Sequence, residues 1–167
     1  DFLNLIYPQT CVCCQEVLPN NRKYFCDVCN ALLPVIDPAQ DPTWNKLAGR
    51  VHLNFAGSYL KFNKSGMVQK LLHELKYNNT LDLGLLLGKR FSDYLEKNHL
   101  ELPPDGLVPV PVFKTKLEKR GYNQAQLIAE GMAALYGSEV IADILEKTSE
   151  STSQTRKGRM ARLETMM

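Results

Sequence analysis

Cys11, Cys14, Cys26 and Cys29 form two CxxC pairs separated by eleven residues. Each pair can curl so that both sulfurs face one point about 2.3 Å away, and two such knuckles close a tetrahedron around zinc. The spacing predicts a structural tetrathiolate site. Four protein thiolates leave no open position for water or substrate, so hydrolysis at this metal is not expected. The gap is shorter than the roughly fifteen to twenty residues of many paired knuckles, which calls for a tight ribbon. Pro19, Asn20 and Asn21 supply its turn, and Lys23, Tyr24 and Phe25 read as a strand entering the second knuckle. Two disulfides are the competing pairing; the odd total of five cysteines and the lack of a visible secretory segment argue against it. Cys13, next to Cys14, cannot reach the same metal without breaking the knuckle, and reads as a free thiol.

A second group of residues suited to chemistry is cationic. Lys114, Lys116, Lys119 and Arg120 crowd the stretch before Gly121 and Asn123, with only Glu118 opposing them. Read as a loop between a strand end and a helix start, this segment is a candidate anion site. Helix N-terminal amides carry partial positive charge, Asn123 can cap the helix, and Arg120 can grip phosphate oxygens in a bidentate manner. Gly121 would let the backbone turn close to a ligand. A solvated basic loop beside an ordinary cap accounts for the same residues, and the pattern alone leaves both open.

The elements that must position these groups follow from periodicity. Residues 1 to about 36 are too few to bury a stable core, so metal binding should supply much of their folding free energy, on the order of 10 kcal/mol, and chelation should unfold them first. Pro34, Pro38 and Pro42 mark a linker to about Asn45, with Trp44 expected to pack on a neighbour. The chain therefore divides into a zinc ribbon with its linker, 1–45, and a larger domain, 46–167. Alternation from Val51 to Phe62 reads as a strand pair or bent strand. Val68, Leu71, Leu72 and Leu75 give a helix running to about Tyr77, and Leu83, Leu87, Phe91, Tyr94 and Leu95 a second one. Leu107, Val108 and Val110 form a short strand limited by Pro109 and Pro111. Ala125 to Tyr136 is a third helix closed by Gly137, and Glu139 to Leu145 another strand. Strand, helix, strand is a βαβ unit, whose ligands sit beyond the carboxyl ends of parallel strands.

At 167 residues and 44% hydrophobic, the chain is too apolar for wholesale disorder. No stretch approaches the roughly 18 apolar residues of a membrane helix, so a cytoplasmic protein without membrane insertion is expected. The formal charge of +2 falls to about zero once four thiolates and one zinc ion are counted, and so says little about partners. His52, His73 and His99 lie too far apart to suggest a catalytic constellation. Gly84 and Gly88 have helical small-residue spacing and are not a phosphate loop. Arg156, Lys157, Arg159 and Arg162 could touch DNA phosphate, and Tyr24 and Phe25 could stack on bases. The aromatics are not interleaved with the cations, which favours solvated charge and ribbon packing.

The double CxxC, Leu75-Lys76-Tyr77, Pro109-Val110-Pro111 and above all Arg120-Gly121-Tyr122-Asn123-Gln124 resemble the ComF family, with Gln154, Thr155 and Arg159 similar to its later Q-T-x-x-x-R segment. The resemblance runs through essentially the whole chain. It implies an α/β fold like that of type I phosphoribosyltransferases, a mainly parallel sheet with flanking helices, preceded by a small four-cysteine zinc ribbon. It implies 5-phosphoribosyl 1-diphosphate with magnesium as ligand, faced by the PVP strand and the loop after it. Lys119, Arg120, Asn123 and Gln124 would contact phosphate or position the loop, with Lys76 and Tyr77 contributing from a hood. It also implies a role in uptake of transforming DNA. Two alternatives accompany it: a non-enzymatic ribbon that docks single-stranded DNA or a protein of the uptake machinery, and a phosphoribosyltransferase of nucleotide salvage. One departure bears on activity. The family's paired acids followed by a Thr-Thr-Gly-type loop have no counterpart among residues 1–167, which contain no Asp-Asp, Asp-Glu or Glu-Glu pair. The sequence reads as truncated after Met167 and clipped at its start, and this polypeptide is expected to bind the ligand poorly and not to catalyse transfer alone.

Overall fold

The computed structural model describes residues 8–100 and 104–149. The later Q-T-x-x-x-R segment and the cations Arg156 to Arg162 lie outside them. The first knuckle is bracketed by an antiparallel bridge between Thr10 and Val17 and closed by Cys11 N–H to Glu16 O at 2.8 Å. Its return is tight: Gln15 adopts a left-handed φ of 67° and donates to Cys11 O at 2.8 Å. Tyr24 and Phe25 do not form the expected strand. They lead into α1 (Asp27–Ala31), where the Cys26 sulfur takes the N-cap role by accepting from Cys29 N–H. A 3₁₀ turn (Pro38–Gln40), capped by Asp37, and α2 (Thr43–Leu47) follow.

The strand pair expected from Val51 to Phe62 is absent. Only an isolated antiparallel bridge forms there, between Leu60 and Val35, flanked by Ile36 N–H to Tyr59 O and Lys61 N–H to Pro34 O. Alternation alone was the cue, and it gave no partner: Val51, Leu53, Phe55 and Phe62 remain exposed.

Helices α3 (Met67–Tyr77) and α4 (Leu81–Lys97) match the two apolar stripes. Their buried residues Leu71, Leu75, Leu83 and Leu87 form one core cluster with Cys11, Cys13, Leu18, Phe25, Cys29 and Leu33 of the ribbon. The ribbon thus sits on the two helices. Lys23 pairs with Asp82, Lys70 donates to Cys13 O, and the Arg90 guanidinium lies 5.1 Å from the Phe25 ring centre.

Strand β1 (Gly106–Leu107) runs parallel to β2 (Glu139–Val140), with Gly106 opposite Glu139 and Leu107 opposite Val140. Both are shorter than expected. Pro109 and Pro111 have no N–H to extend the ladder on one side. The connection between the strands holds two helices, α5 (Lys114–Arg120) and α6 (Gln124–Tyr136). The segment expected to be a basic loop is therefore largely helical, ending at Gly121 with φ 78°. Helix α6 packs along α4 with little between the backbones: a Cβ at Gly88 would collide with Ile128 O, and one at Gly131 with Leu85 O. Tyr136 OH donates to Ser92 O at 3.0 Å across the same contact. Among the described residues the architecture is mainly helical with a two-stranded parallel sheet. No described helix is long and apolar enough to cross a membrane.

Candidate metal centre and cationic cleft

The sulfurs of Cys11, Cys14, Cys26 and Cys29 all lie within 4.8 Å of one another. Cys14 Sγ and Cys26 Sγ are 3.7 Å apart. A tetrahedron with metal–sulfur bonds of about 2.3 Å places its sulfurs about 3.8 Å apart, so the spacing suits zinc and is far too long for a disulfide near 2.05 Å. Backbone amides support the sulfurs: Cys26 N–H donates to Cys11 Sγ and Cys29 N–H to Cys26 Sγ, both at 3.4 Å.

The thiols do not share negative charge evenly. Burial opposes ionisation of Cys11, but donors at Cys14, Cys26 and Cys13 outweigh it and bring its pKa down to about 6. Burial and the neighbouring thiols push Cys29 up. Four thiolates in so small a volume repel one another, and a divalent cation would relieve that repulsion. The donor set therefore fits zinc: all four sites are sulfur, two are buried, and the cluster includes no carboxylate or imidazole ligand. Cys13 stands apart from this set. It is buried in the core, and burial raises its thiol to about 11, so it is an inert apolar side chain rather than a nucleophile.

The cations gather elsewhere. A cleft of about 780 Å³ is lined by Lys76, Tyr77 and Asn79 from the end of α3 and by Thr115, Lys116, Lys119, Arg120, Gly121 and Tyr122 from α5 and its exit. Two contacts bind these walls together. Tyr122 OH donates to Leu75 O at 2.8 Å, and the Arg120 guanidinium lies 5.7 Å from the Tyr77 ring centre. His73 packs its ring on Tyr77 at 4.6 Å.

Of the six residues singled out in the sequence, Lys76, Tyr77, Lys119 and Arg120 line this cleft, and Asn123 and Gln124 do not. Asn123 caps α6 by accepting from Ala125 N–H at 3.0 Å and donates to Val110 O at 3.0 Å, tying the helix start to the PVP segment. Gln124 accepts from Arg120 Nη1 at 3.2 Å, which steadies the guanidinium from behind. Asn123 instead borders a second cleft, of about 420 Å³, that follows the strand exits past Phe113 and Lys147. Thr115 and Tyr122 were not singled out as site residues, and Lys116 was named only among the cations of the segment and not among the ligand-contacting residues. Helical spacing would have found Lys116, which lies three and four residues before Lys119 and Arg120.

Aromatic stacking on the ribbon is half removed: Phe25 is buried, while Lys23 lies over Tyr24, its Nζ 5.5 Å from the ring centre.

No family model matches the chain, and no solved structure matches it. Among curated proteins, competence protein F of Haemophilus influenzae is 24% identical over 115 residues, which cover 69% of this chain and 47% of that protein. The chain thus spans about half the length of the relative it matches. Four clustered cysteines, followed by a parallel βαβ connection with a cationic helix, define a mainly helical α/β protein with a candidate zinc site. The similarity to this competence protein supports the resemblance to the ComF family that the CxxC pairs, the PVP segment and the Arg120–Gln124 string carry.

Proposed function

We propose that the chain is the zinc-bearing part of a ComF-like protein of the phosphoribosyltransferase type, serving uptake of transforming DNA and binding 5-phosphoribosyl 1-diphosphate. The observation that carries the ligand is the convergence of Lys76, Lys116, Lys119 and Arg120 on one cleft. Four cations with two tyrosines suit a ligand that carries several phosphate charges and a sugar. If transfer occurs, loss of pyrophosphate from the ribose builds negative charge that such cations stabilise. The larger parallel sheet of that fold is part of the same reading. Strands of this kind are ordinarily covered on both faces, and Val108, Val110 and Ile144 beside β1 and β2 are exposed.

Among the described residues no carboxylate lines the cleft, so these residues provide no magnesium cage. The chain's own residues act on the phosphates directly.

Calorimetric titration of the zinc-loaded, full-length gene product with phosphoribosyl diphosphate tests the reading. Saturable binding should weaken at least about tenfold in a Lys119→Ala/Arg120→Ala variant, the loss of one or two charge-assisted contacts. A full-length protein that takes no phosphoribosyl diphosphate, with or without magnesium, overturns it.

A further inference from the structure

A third cavity, of about 310 Å³, lies away from both the thiolate cluster and the cationic cleft, where the linker packs against the end of α4. Its walls include Trp44, Phe55 and Tyr94 together with Pro38, and Asp41 reaches the same space. Three aromatic residues and one carboxylate thus border the same notch. Trp44 and Phe55 keep 43% and 37% of their surface exposed, so neither has been absorbed into the core.

The carboxylate is held in place. Asp41 Oδ1 accepts from Thr43 N–H at 2.9 Å and from the Thr43 hydroxyl at 2.6 Å, and Oδ2 accepts from Ser58 N–H at 2.6 Å. Burial would favour its neutral form, but these donors, with Lys46 nearby, keep it below the ordinary carboxylate range and so ionised. Its hydrogen-bond partners, Thr43 and Ser58, are neutral, and Lys46 supplies a nearby positive charge. Asp37 adds a second negative charge felt at Tyr94. The Tyr94 hydroxyl is spent on Ile36 O at 2.9 Å, which leaves its ring as its contribution to the cavity.

Aromatic faces attract cations through their quadrupole, and a fixed carboxylate adds charge that the surrounding donors do not cancel. We propose that the Trp44–Phe55–Tyr94 cavity around Asp41 is a binding site for a small organic cation, a primary ammonium or guanidinium group. Its volume is at the lower end of ligand sites and admits one such head group with a short alkyl stem. The same chemistry is offered by a free amine and by the lysine or arginine side chain of a protein. The site is independent of the phosphate reading of the other cleft.

Trp44 is the chain's single tryptophan and reports directly on the cavity. Titration of the zinc-loaded protein with n-butylammonium, spermidine and the tripeptide Gly-Lys-Gly, followed by tryptophan fluorescence, should give a saturable change that n-butanol does not produce. Trp44→Phe should abolish the signal. Asp41→Asn should weaken ammonium binding roughly tenfold, and Phe55→Leu, which leaves the carboxylate and its hydrogen bonds in place, by a smaller factor. If Asp41→Asn disturbs folding by circular dichroism, Phe55→Leu carries the test. Tighter binding of the tripeptide than of the free amines assigns the site to a protein side chain, and the reverse order to a free amine. A response to n-butanol equal to that for n-butylammonium, or no saturable response to any of the amines, overturns the proposal.

Discussion

The thiolate cluster and the cationic cleft meet the same helix at neighbouring residues, yet they are built in opposite ways. Helix α3 sends Leu71 and Leu75 into the core shared with Cys11, Cys29 and Phe25, and the next two residues, Lys76 and Tyr77, line the cleft. On the ribbon side the functional atoms are crowded, partly buried and served by backbone amides. On the cleft side they are long cations that reach solvent. Binding of a metal to the first is therefore inseparable from folding, whereas binding of an anion to the second should leave folding almost unchanged.

The strongest way to break that contrast is to remove the metal. The protein is expected to hold one zinc per chain by elemental analysis, and Cys29→Ser should abolish it. The loss should amount to several kcal/mol, because structural zinc contributes about 10 kcal/mol or more in isolated fingers and packing on α3 and α4 retains a part. Since the ribbon shares its core with those helices, chelation should also raise amide exchange in α3. Exchange that rises only within residues 8–36 would show the ribbon to be an independent appendage.

Among the described residues the cleft side carries no cluster of metal ligands, and the helices behind it, α6 and α4, are instead held by close backbone approach. Gly131→Ala would set a methyl against Leu85 O, which the backbone of α4 cannot yield without moving. Thermal or denaturant unfolding should show a loss of about 2–3 kcal/mol, in the upper range of overpacking effects. A loss below about 0.5 kcal/mol would mean that the two helices slide apart easily, and the contrast between a metal-held and a packing-held half would fail.

Much of this was legible in the residue pattern. The stripes around Leu71, Leu87 and Ala129 placed α3, α4 and α6 to within about two residues at each end, because burial of one face dictates period and length together. The clustering of the four cysteines was legible for a similar reason: two knuckles specify their own geometry. The sequence misled where one signal masked another. Charge between Lys114 and Arg120 suggested a loop, although Phe113 and Leu117 four residues apart and a glycine at 121 are also what a short capped helix needs. Alternation at Val51 to Phe62 suggested strands, but a strand exists only where a partner can satisfy its backbone. The resemblance joined Lys76 and Tyr77 to Lys119 and Arg120, but periodicity alone could not, since the cleft depends on Tyr122 reaching the α3 carbonyl across 47 residues of chain.

That hydrogen bond gives a smaller test of how the two regions are joined. Tyr122→Phe removes a donor to Leu75 O, and an ordinary bond of this type contributes about 1 kcal/mol. The loss should appear in unfolding. Because Leu75 lies in the core beside the ribbon, the same variant should leave zinc content unchanged while weakening pyrophosphate binding in the cleft. Unchanged pyrophosphate affinity would show that α3 and the α5 exit keep their relative position without this link.

The smallest stability effect is the most discriminating. Lys119 lines the cleft, and its charge sits on the last turn of α5, where the helix dipole favours a cation by about 0.3–1 kcal/mol. Lys119→Ala gains helix propensity and loses that dipole interaction, so the net change in unfolding free energy should stay within about 0.5 kcal/mol. The same substitution should reduce pyrophosphate affinity severalfold, more at low salt than at high salt, because an exposed cation acts through a field that ions screen. A variant that loses stability without losing affinity would place Lys119 in the scaffold and leave the cleft to Lys76, Lys116 and Arg120.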